Sequence, residues 1–151
     1  MKNFINNLNQ GTKLAINNEE YEVLTKTYYT IEEDESVVYI KCELSANKVL
    51  VIIPEDNYIY VGKVIEDMEY ERISDDQIKY EGNIFNKTGD GHQYIINIEF
   101  GTEDEVEGRC IFEDYESEKN VISLGILTDK DDIRADVYAD ILSLDDIAIK
   151  K

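Results

Sequence analysis

The feature that most constrains the fold is a two-residue alternation of apolar and more polar side chains between residues 132 and 141. The apolar positions are Ile133, Ala135, Val137, Ala139 and Ile141. The residues between them are Arg134, Asp136, Tyr138 and Asp140. A helix would place apolar residues three and four positions apart, whereas a period of two places them on one face of a β-strand. This segment is therefore predicted to be a strand.

Similar short segments, separated by polar turns, recur along the chain, and its 11 tyrosines favour strands over helices. Asn17-Asn18 predicts a tight hairpin turn because asparagine tolerates positive φ. Residues 66–76 are predicted to connect two halves, and residues 88–91 to form a turn. A short N-terminal helix and a helical turn over residues 143–146 complete the prediction. The predicted strands are residues 14–16, 21–31, 37–44, 49–53, 58–64, 78–80, 84–86, 94–100, 108–115, 121–127, 132–141 and 147–149.

The predicted fold is mainly β, with two similar antiparallel β-units, barrel-like or sandwich-like, that pack together. A short N-terminal helix precedes them in the sequence. The 151 residues fit a single domain, 1–151, with half-units at about 11–66 and 77–150. Each half opens with a hairpin and continues with a strand bearing one cysteine, Cys42 or Cys110. This shared order predicts an internal duplication. The alternative is that any all-β chain shows strands at regular spacing.

The chain is strongly acidic: 15 Lys and Arg against 34 Asp and Glu give a formal net charge of -19. Such a field repels nucleic acid and anionic membrane surfaces, so neither is a predicted partner. It favours a basic protein partner, a polyamine or a divalent cation. The simplest alternative is that the charge serves solubility alone.

A cytoplasmic location is predicted because the first ten residues are polar and lack the regions of a signal peptide. The longest apolar run, residues 49–53, is too short to cross a bilayer. Cys42 and Cys110 lie in apolar surroundings without metal-ligand spacing, which indicates buried thiols rather than a disulfide or a zinc site.

No catalytic residue, metal ligand or cofactor is predicted. His92 is the only histidine, and Gly89-Asp90-Gly91 before it indicates an exposed loop. The acids after Asp129 resemble a calcium loop, but Ile133 and Arg134 occupy positions that an EF-hand gives to an oxygen ligand and glycine. Weak surface binding of a cation stays open, and the chain is predicted not to be an enzyme.

The leading functional hypothesis is a non-enzymatic cytoplasmic adaptor that binds a protein partner through acidic loops by electrostatic steering. One alternative is an immunity or inhibitor protein that mimics nucleic acid and blocks a basic target. A second is a small-ligand or cation-binding domain, or an enzyme, which a deep pocket with convergent carboxylates would favour. The oligomeric state stays open. The candidate binding residues are Glu32, Glu33, Asp34, Glu35, Glu103, Asp104 and Glu105.

Several short landmarks occur in a fixed order between residues 8 and 149. They are Leu8-Asn9-Gln10-Gly11, Tyr21-Glu22-Val23-Leu24, Tyr39-Ile40-Lys41-Cys42-Glu43-Leu44, Tyr80-Glu81-Gly82, Asp114-Tyr115-Glu116 and Leu144-Asp145-Asp146-Ile147. In this order the chain resembles the bacterial domain-of-unknown-function family 4178. The family often has tryptophan in the strand that Tyr39 begins, and this chain has none. The resemblance implies no assigned activity, so no catalytic residue is carried over.

Overall fold

Strands dominate the computed structural model, which describes residues 1–101, 109–128 and 133–150. Short 3-10 turns occur at Pro54–Asp56 and Leu144–Asp146. The helix is α1 (Lys2–Asn6), and the strands are β1 (Lys13–Ile16), β2 (Glu19–Glu22), β3 (Lys26–Ile31), β4 (Asp34–Leu44), β5 (Lys48–Ile53), β6 (Tyr58–Ile65), β7 (Glu71–Ser74), β8 (Gln77–Tyr80), β9 (Asn83–Phe100), β10 (Arg109–Glu116), β11 (Asn120–Leu127), β12 (Ile133–Arg134), β13 (Asp136–Leu142) and β14 (Ile147–Lys150).

Eight antiparallel strands close into a barrel in the order β10-β11-β13-β6-β5-β4-β3-β9, because β9 pairs back onto β10. The prediction of a mainly β, barrel-like fold with a short N-terminal helix is confirmed. A barrel of this size has an interior just wide enough for side chains or one small ligand. Among the described residues, no helix is long and apolar enough to cross a membrane.

Strand β9 spans 18 residues and closes the barrel, since it pairs with β8, β10 and β3 in turn along its length. The predicted turn over residues 88–91 is therefore wrong. Gly89 and Gly91 remain in the strand, opposite Asp114 and Phe112 of β10. The glycines suggested a turn, but here they lie in the pairing that completes the barrel.

Two covering layers bury parts of the outer face of the barrel. The sheet β14-β1-β2 and α1 form a core with β4, β5 and β6, which includes Leu8, Leu14, Ile40, Leu50, Ile52 and Ile59. The hairpin β7–β8 packs near β10 and β11 through Ile78, Phe85, Tyr115, Ile122 and Leu124. The prediction of a plain connection over residues 66–76 is wrong in part, because β7 lies there. Every residue of β7 is exposed, so no apolar alternation identifies it.

Several local predictions are confirmed. The turn between β1 and β2 has positive φ at Asn17 (51°) and Asn18 (67°). The alternating segment forms β12 and β13, separated by Ala135, whose N–H donates to the Gly125 carbonyl at 2.9 Å. Ser143 caps the 3-10 turn that follows.

Strand β5 is buried on both faces, as predicted from its continuous apolar run. Leu50 and Ile52 belong to the outer core, whereas Val49 and Val51 belong to a separate cluster inside the barrel. Cys42 is buried as predicted, but Cys110 is only half-buried, and the two cysteines form no disulfide.

Each half of the chain contributes a hairpin and four barrel strands. Strands β3, β4, β5 and β6 follow the β1–β2 hairpin, and β9, β10, β11 and β13 follow β7–β8. The division into half-units and the internal duplication stay predictions.

Candidate functional site

The first group of predicted binding acids lies around the turn between β3 and β4. Glu32 and Glu33 form the turn, and Asp34 and Glu35 begin β4 rather than belonging to a loop. All four residues are exposed, as expected. The second group, Glu103, Asp104 and Glu105, lies outside the described residues, as do Asp129, Asp131 and Asp132 of the rejected calcium loop.

Each acid of the first group has a partner within the chain. Glu32 forms an ion pair with Arg109. Asp34 accepts hydrogen bonds from Ser36, which lower the pKa of its carboxyl. Glu35 accepts one from the Tyr94 hydroxyl at 3.2 Å. The contacts from Glu32 and Glu35 fasten the β3–β4 turn to β10 and β9.

His92 also connects the β3–β4 turn to β9, through Glu33. It was predicted to lie in an exposed loop; it is exposed, but it belongs to strand β9. Its backbone N–H donates to Glu33 Oε1 at 2.6 Å, and its Nδ1 lies 2.8 Å from Glu33 Oε2. These hydrogen bonds lower the pKa of the Glu33 carboxyl.

His92, Glu33 and Glu32 each place one potential metal-ligand atom within 4.8 Å of the others. Sequence reasoning missed the group because His92 is 59 positions from Glu33. Glu33 and His92 bond to each other and Glu32 pairs with Arg109, so each of the three groups has a partner within the chain.

A different site lies at one end of the barrel, where residues from six barrel strands and one turn surround an open cavity of about 220 Å³. We call this cavity the barrel mouth. Its walls combine tyrosines with carboxylates. The lining residues are Tyr39, Ile53, Asp56, Tyr58, Tyr60, Thr88, Gly89, Asp114, Glu116 and Val121.

Strand alternation explains why these side chains converge. On β6, Tyr58 and Tyr60 are two positions apart and share the inward face. On β10, Asp114 and Glu116 share the inward face for the same reason. The 3-10 turn after β5 adds Asp56 at the rim.

Hydrogen bonds hold the two inward carboxylates. The Ser123 hydroxyl donates to Asp114 Oδ1 at 2.6 Å, and Ser123 is also in hydrogen-bonding contact with Tyr60. The Tyr58 hydroxyl donates to Glu116 Oε1. These contacts give the mouth a defined shape before any ligand enters.

The charged residues that line the mouth are all acidic. Burial, with the nearby negative charge of Glu116, raises the pKa of Asp114 from 3.8 to about 6. Burial, with the charges of Asp114 and Asp56, raises the pKa of Tyr39 to about 12. None of the residues lining the described mouth is a lysine or an arginine. A carboxyl that titrates near neutral pH beside another carboxylate can exchange protons or attract a cation.

Below the mouth, a smaller cavity of about 70 Å³ occupies the barrel interior. Tyr39 and Tyr60 line both cavities, so the two cavities adjoin at these residues. The space is sufficient for a few water molecules. Polar groups reach it as well as apolar ones, among them Tyr29, Lys41, Gln93, Cys110 and Ser123.

Asp114 should make stability fall as pH rises, the opposite of an ordinary paired carboxylate. Its pKa in the folded chain, about 6, exceeds the ordinary 3.8, so the folded state holds the proton more tightly. Stability from this group is present below about pH 4 and is lost as pH rises through 6. We expect Asp114→Asn to raise the free energy of unfolding by about 1–2 kcal/mol at neutral pH and by almost nothing near pH 4.

Urea unfolding at a series of pH values measures this difference. Glu66→Gln is the matched control, because it removes one negative charge from an exposed residue just after the opposite end of β6. A gain for Asp114→Asn that is the same at every pH, or that Glu66→Gln reproduces, would contradict the assignment.

The sequence did contain a signal for the mouth. Asp114 and Glu116 lie at even-numbered positions of β10, as do Cys110 and Phe112. Alternation therefore places the two acids on the face of the strand that also carries residues lining the barrel interior. In the sequence, Tyr39 and Tyr60 have the pattern of ordinary cross-strand packing residues. Their convergence with the acids depends on barrel closure, which local patterns do not specify.

No family model matches this chain, and neither does any curated protein or solved structure. The resemblance to the bacterial domain-of-unknown-function family 4178 therefore stays a prediction.

Proposed function

We propose that this chain is a non-enzymatic binding domain that takes a small-molecule ligand at the barrel mouth. The observation that carries the proposal is the 220 Å³ cavity with converging Tyr58, Tyr60, Asp114 and Glu116 side chains. Concave sites with apolar walls and a few fixed polar groups are the usual form of a ligand pocket. The absence of a nucleophile–base set in the sequence favours binding over catalysis.

A substitution that fills the cavity of the barrel mouth with a large side chain tests this function. Gly89 lies opposite Asp114 in the pairing of β9 with β10 and lines the cavity, and a Cβ built on it meets no atom within 4 Å. We expect Gly89→Phe to fill the mouth without disturbing the barrel. Gly89→Ala is the matched control, because it changes the backbone in the same way but leaves the space open.

The measurement is a screen of small charged and neutral compounds by amide NMR on the full chain. We expect binders that shift resonances of β6 and β10 in the wild-type chain and in Gly89→Ala, but not in Gly89→Phe. Binders whose shifts lie elsewhere, or persist in Gly89→Phe, would contradict a site at the mouth. A screen without any binder would contradict the proposed function itself.

The net charge of -19 supports a second candidate, an adaptor or inhibitor that binds a basic protein partner in the cytoplasm. The acids around Glu33 give this candidate less support, because Arg109 and His92 already engage them. Glu103, Asp104 and Glu105 remain the residues on which it would depend.

A further inference from the structure

We infer that the ligand of the barrel mouth is a small organic ammonium ion, an inference that rests on the proposed function. The first support is charge. The lining includes Asp56, Asp114 and Glu116, and no lysine or arginine among the described residues lines the cavity beside them. An anionic ligand would be repelled, and a neutral ligand would leave the carboxylates uncompensated.

The second support is the aromatic wall. Tyr58 and Tyr60 place their ring centroids 6.0 Å apart at 75°, so the two rings form a corner beside Glu116. Tyr39 adds a third ring to the lining. Aromatic faces attract ammonium groups through the ring quadrupole, and quaternary ammonium ions are bound by cages of such rings.

A bare metal ion fits this cavity poorly. Metal ions need several oxygen atoms close together, at about 2.0–2.6 Å from the ion. Among the described residues, Glu32, Glu33 and His92 are the only group of three or more potential ligands whose atoms lie within 4.8 Å of one another. Asp56, Asp114 and Glu116 are not such a group, so they suit a larger cation with its charge spread over carbon and hydrogen.

A pair of probes with matched shape tests the charge requirement. Choline carries a quaternary ammonium group, and 3,3-dimethylbutan-1-ol has the same shape with a neutral carbon in place of nitrogen. Titrating each into the full chain, with calorimetry and amide NMR, measures both affinities. We expect choline to bind at the mouth at least about tenfold more tightly than the alcohol, which corresponds to about 1.4 kcal/mol.

Variants separate local from long-range electrostatics. In Glu116→Gln the side-chain carbonyl can still accept the Tyr58 hydrogen bond, so the cavity keeps its shape while losing one charge. We expect it to weaken choline binding about tenfold. Glu66→Gln, which removes the same charge beyond the opposite end of β6, should change choline affinity less than about twofold.

Equal binding of choline and the alcohol at the mouth would overturn the ammonium inference and leave the proposed function standing. Binding of neither probe, while other compounds bind in a manner sensitive to Gly89→Phe, would overturn it in the same way. An unchanged choline affinity in Glu116→Gln would also overturn it.

Discussion

Replacing Lys26 by methionine is expected to lower the free energy of unfolding by about 2–4 kcal/mol. The Lys26 side chain is only 2% exposed, and its Nζ lies 3.0 Å from Glu99 Oε2. The ammonium also donates to the carbonyl oxygens of Ile5 at 2.7 Å and Leu8 at 3.2 Å. Methionine keeps most of the buried stem but leaves both carbonyls without this donor. The loss should be large because unsatisfied buried polar groups are costly.

Urea unfolding followed by circular dichroism measures this loss. Lys13→Met is the matched control: it removes the same charge from a side chain that is 53% exposed and lies 3.9 Å from Glu20. Exposed ion pairs contribute about 0–1 kcal/mol, so this variant should remain near the wild type. Similar losses in the two variants would mean that Lys26 does not hold α1 against the barrel.

Lys26 also shows where sequence reasoning stops. Its neighbours Thr25 and Thr27 are polar, so the segment resembles an exposed strand edge, yet all three residues are buried. Their burial arises because α1 contacts this end of β3 and β9 pairs beside it, although both elements are distant in sequence. Alternation within a strand predicts that a strand exists, but it does not predict what packs above it.

The strands themselves were largely predictable. Alternation gave β12 and β13, the continuous apolar run gave β5, and the asparagine pair gave the β1–β2 turn, because each depends on local periodicity or backbone preference. Strand β7 and the middle of β9 were not predictable in this way. Exposed residues form β7, and Gly89 and Gly91 in β9 suggested a turn. Barrel closure through β9 was missed for that reason, and with it the barrel mouth.

The candidate site follows the same division. Runs of acidic residues such as Glu32 and Glu33 are easily recognised in the sequence as candidate binding residues. In the structure, however, these two carboxylates bond to Arg109 and His92 of the same chain. For Asp114, by contrast, burial inside the barrel raises the pKa of the carboxyl from 3.8 to about 6. The position of a carboxylate relative to the barrel axis matters more here than its place in an acidic run.

Replacing Gly62 by alanine is expected to lower the free energy of unfolding by about 3 kcal/mol. Gly62 of β6 lies opposite Ala139 of β13 and Val49 of β5. A Cβ on Gly62 would lie 2.2 Å from the Tyr138 carbonyl oxygen and 2.5 Å from Ala139 Cα. These are backbone atoms, so relief requires β6 and β13 to separate. That separation would disrupt one of the strand pairings through which the two halves of the chain meet in the barrel, the other being that of β3 with β9.

Thermal unfolding followed by circular dichroism measures the effect, with Gly89→Ala as the matched control. Both substitutions restrict the unfolded chain equally, so that contribution cancels between them. Because no atom lies within 4 Å of a Cβ at Gly89, its variant should melt at or slightly above the wild-type temperature. Gly62→Ala should melt roughly 6–12 °C lower. Equal melting temperatures for the two variants would show that β6 and β13 do not approach as closely as their pairing at Gly62 and Ala139 requires.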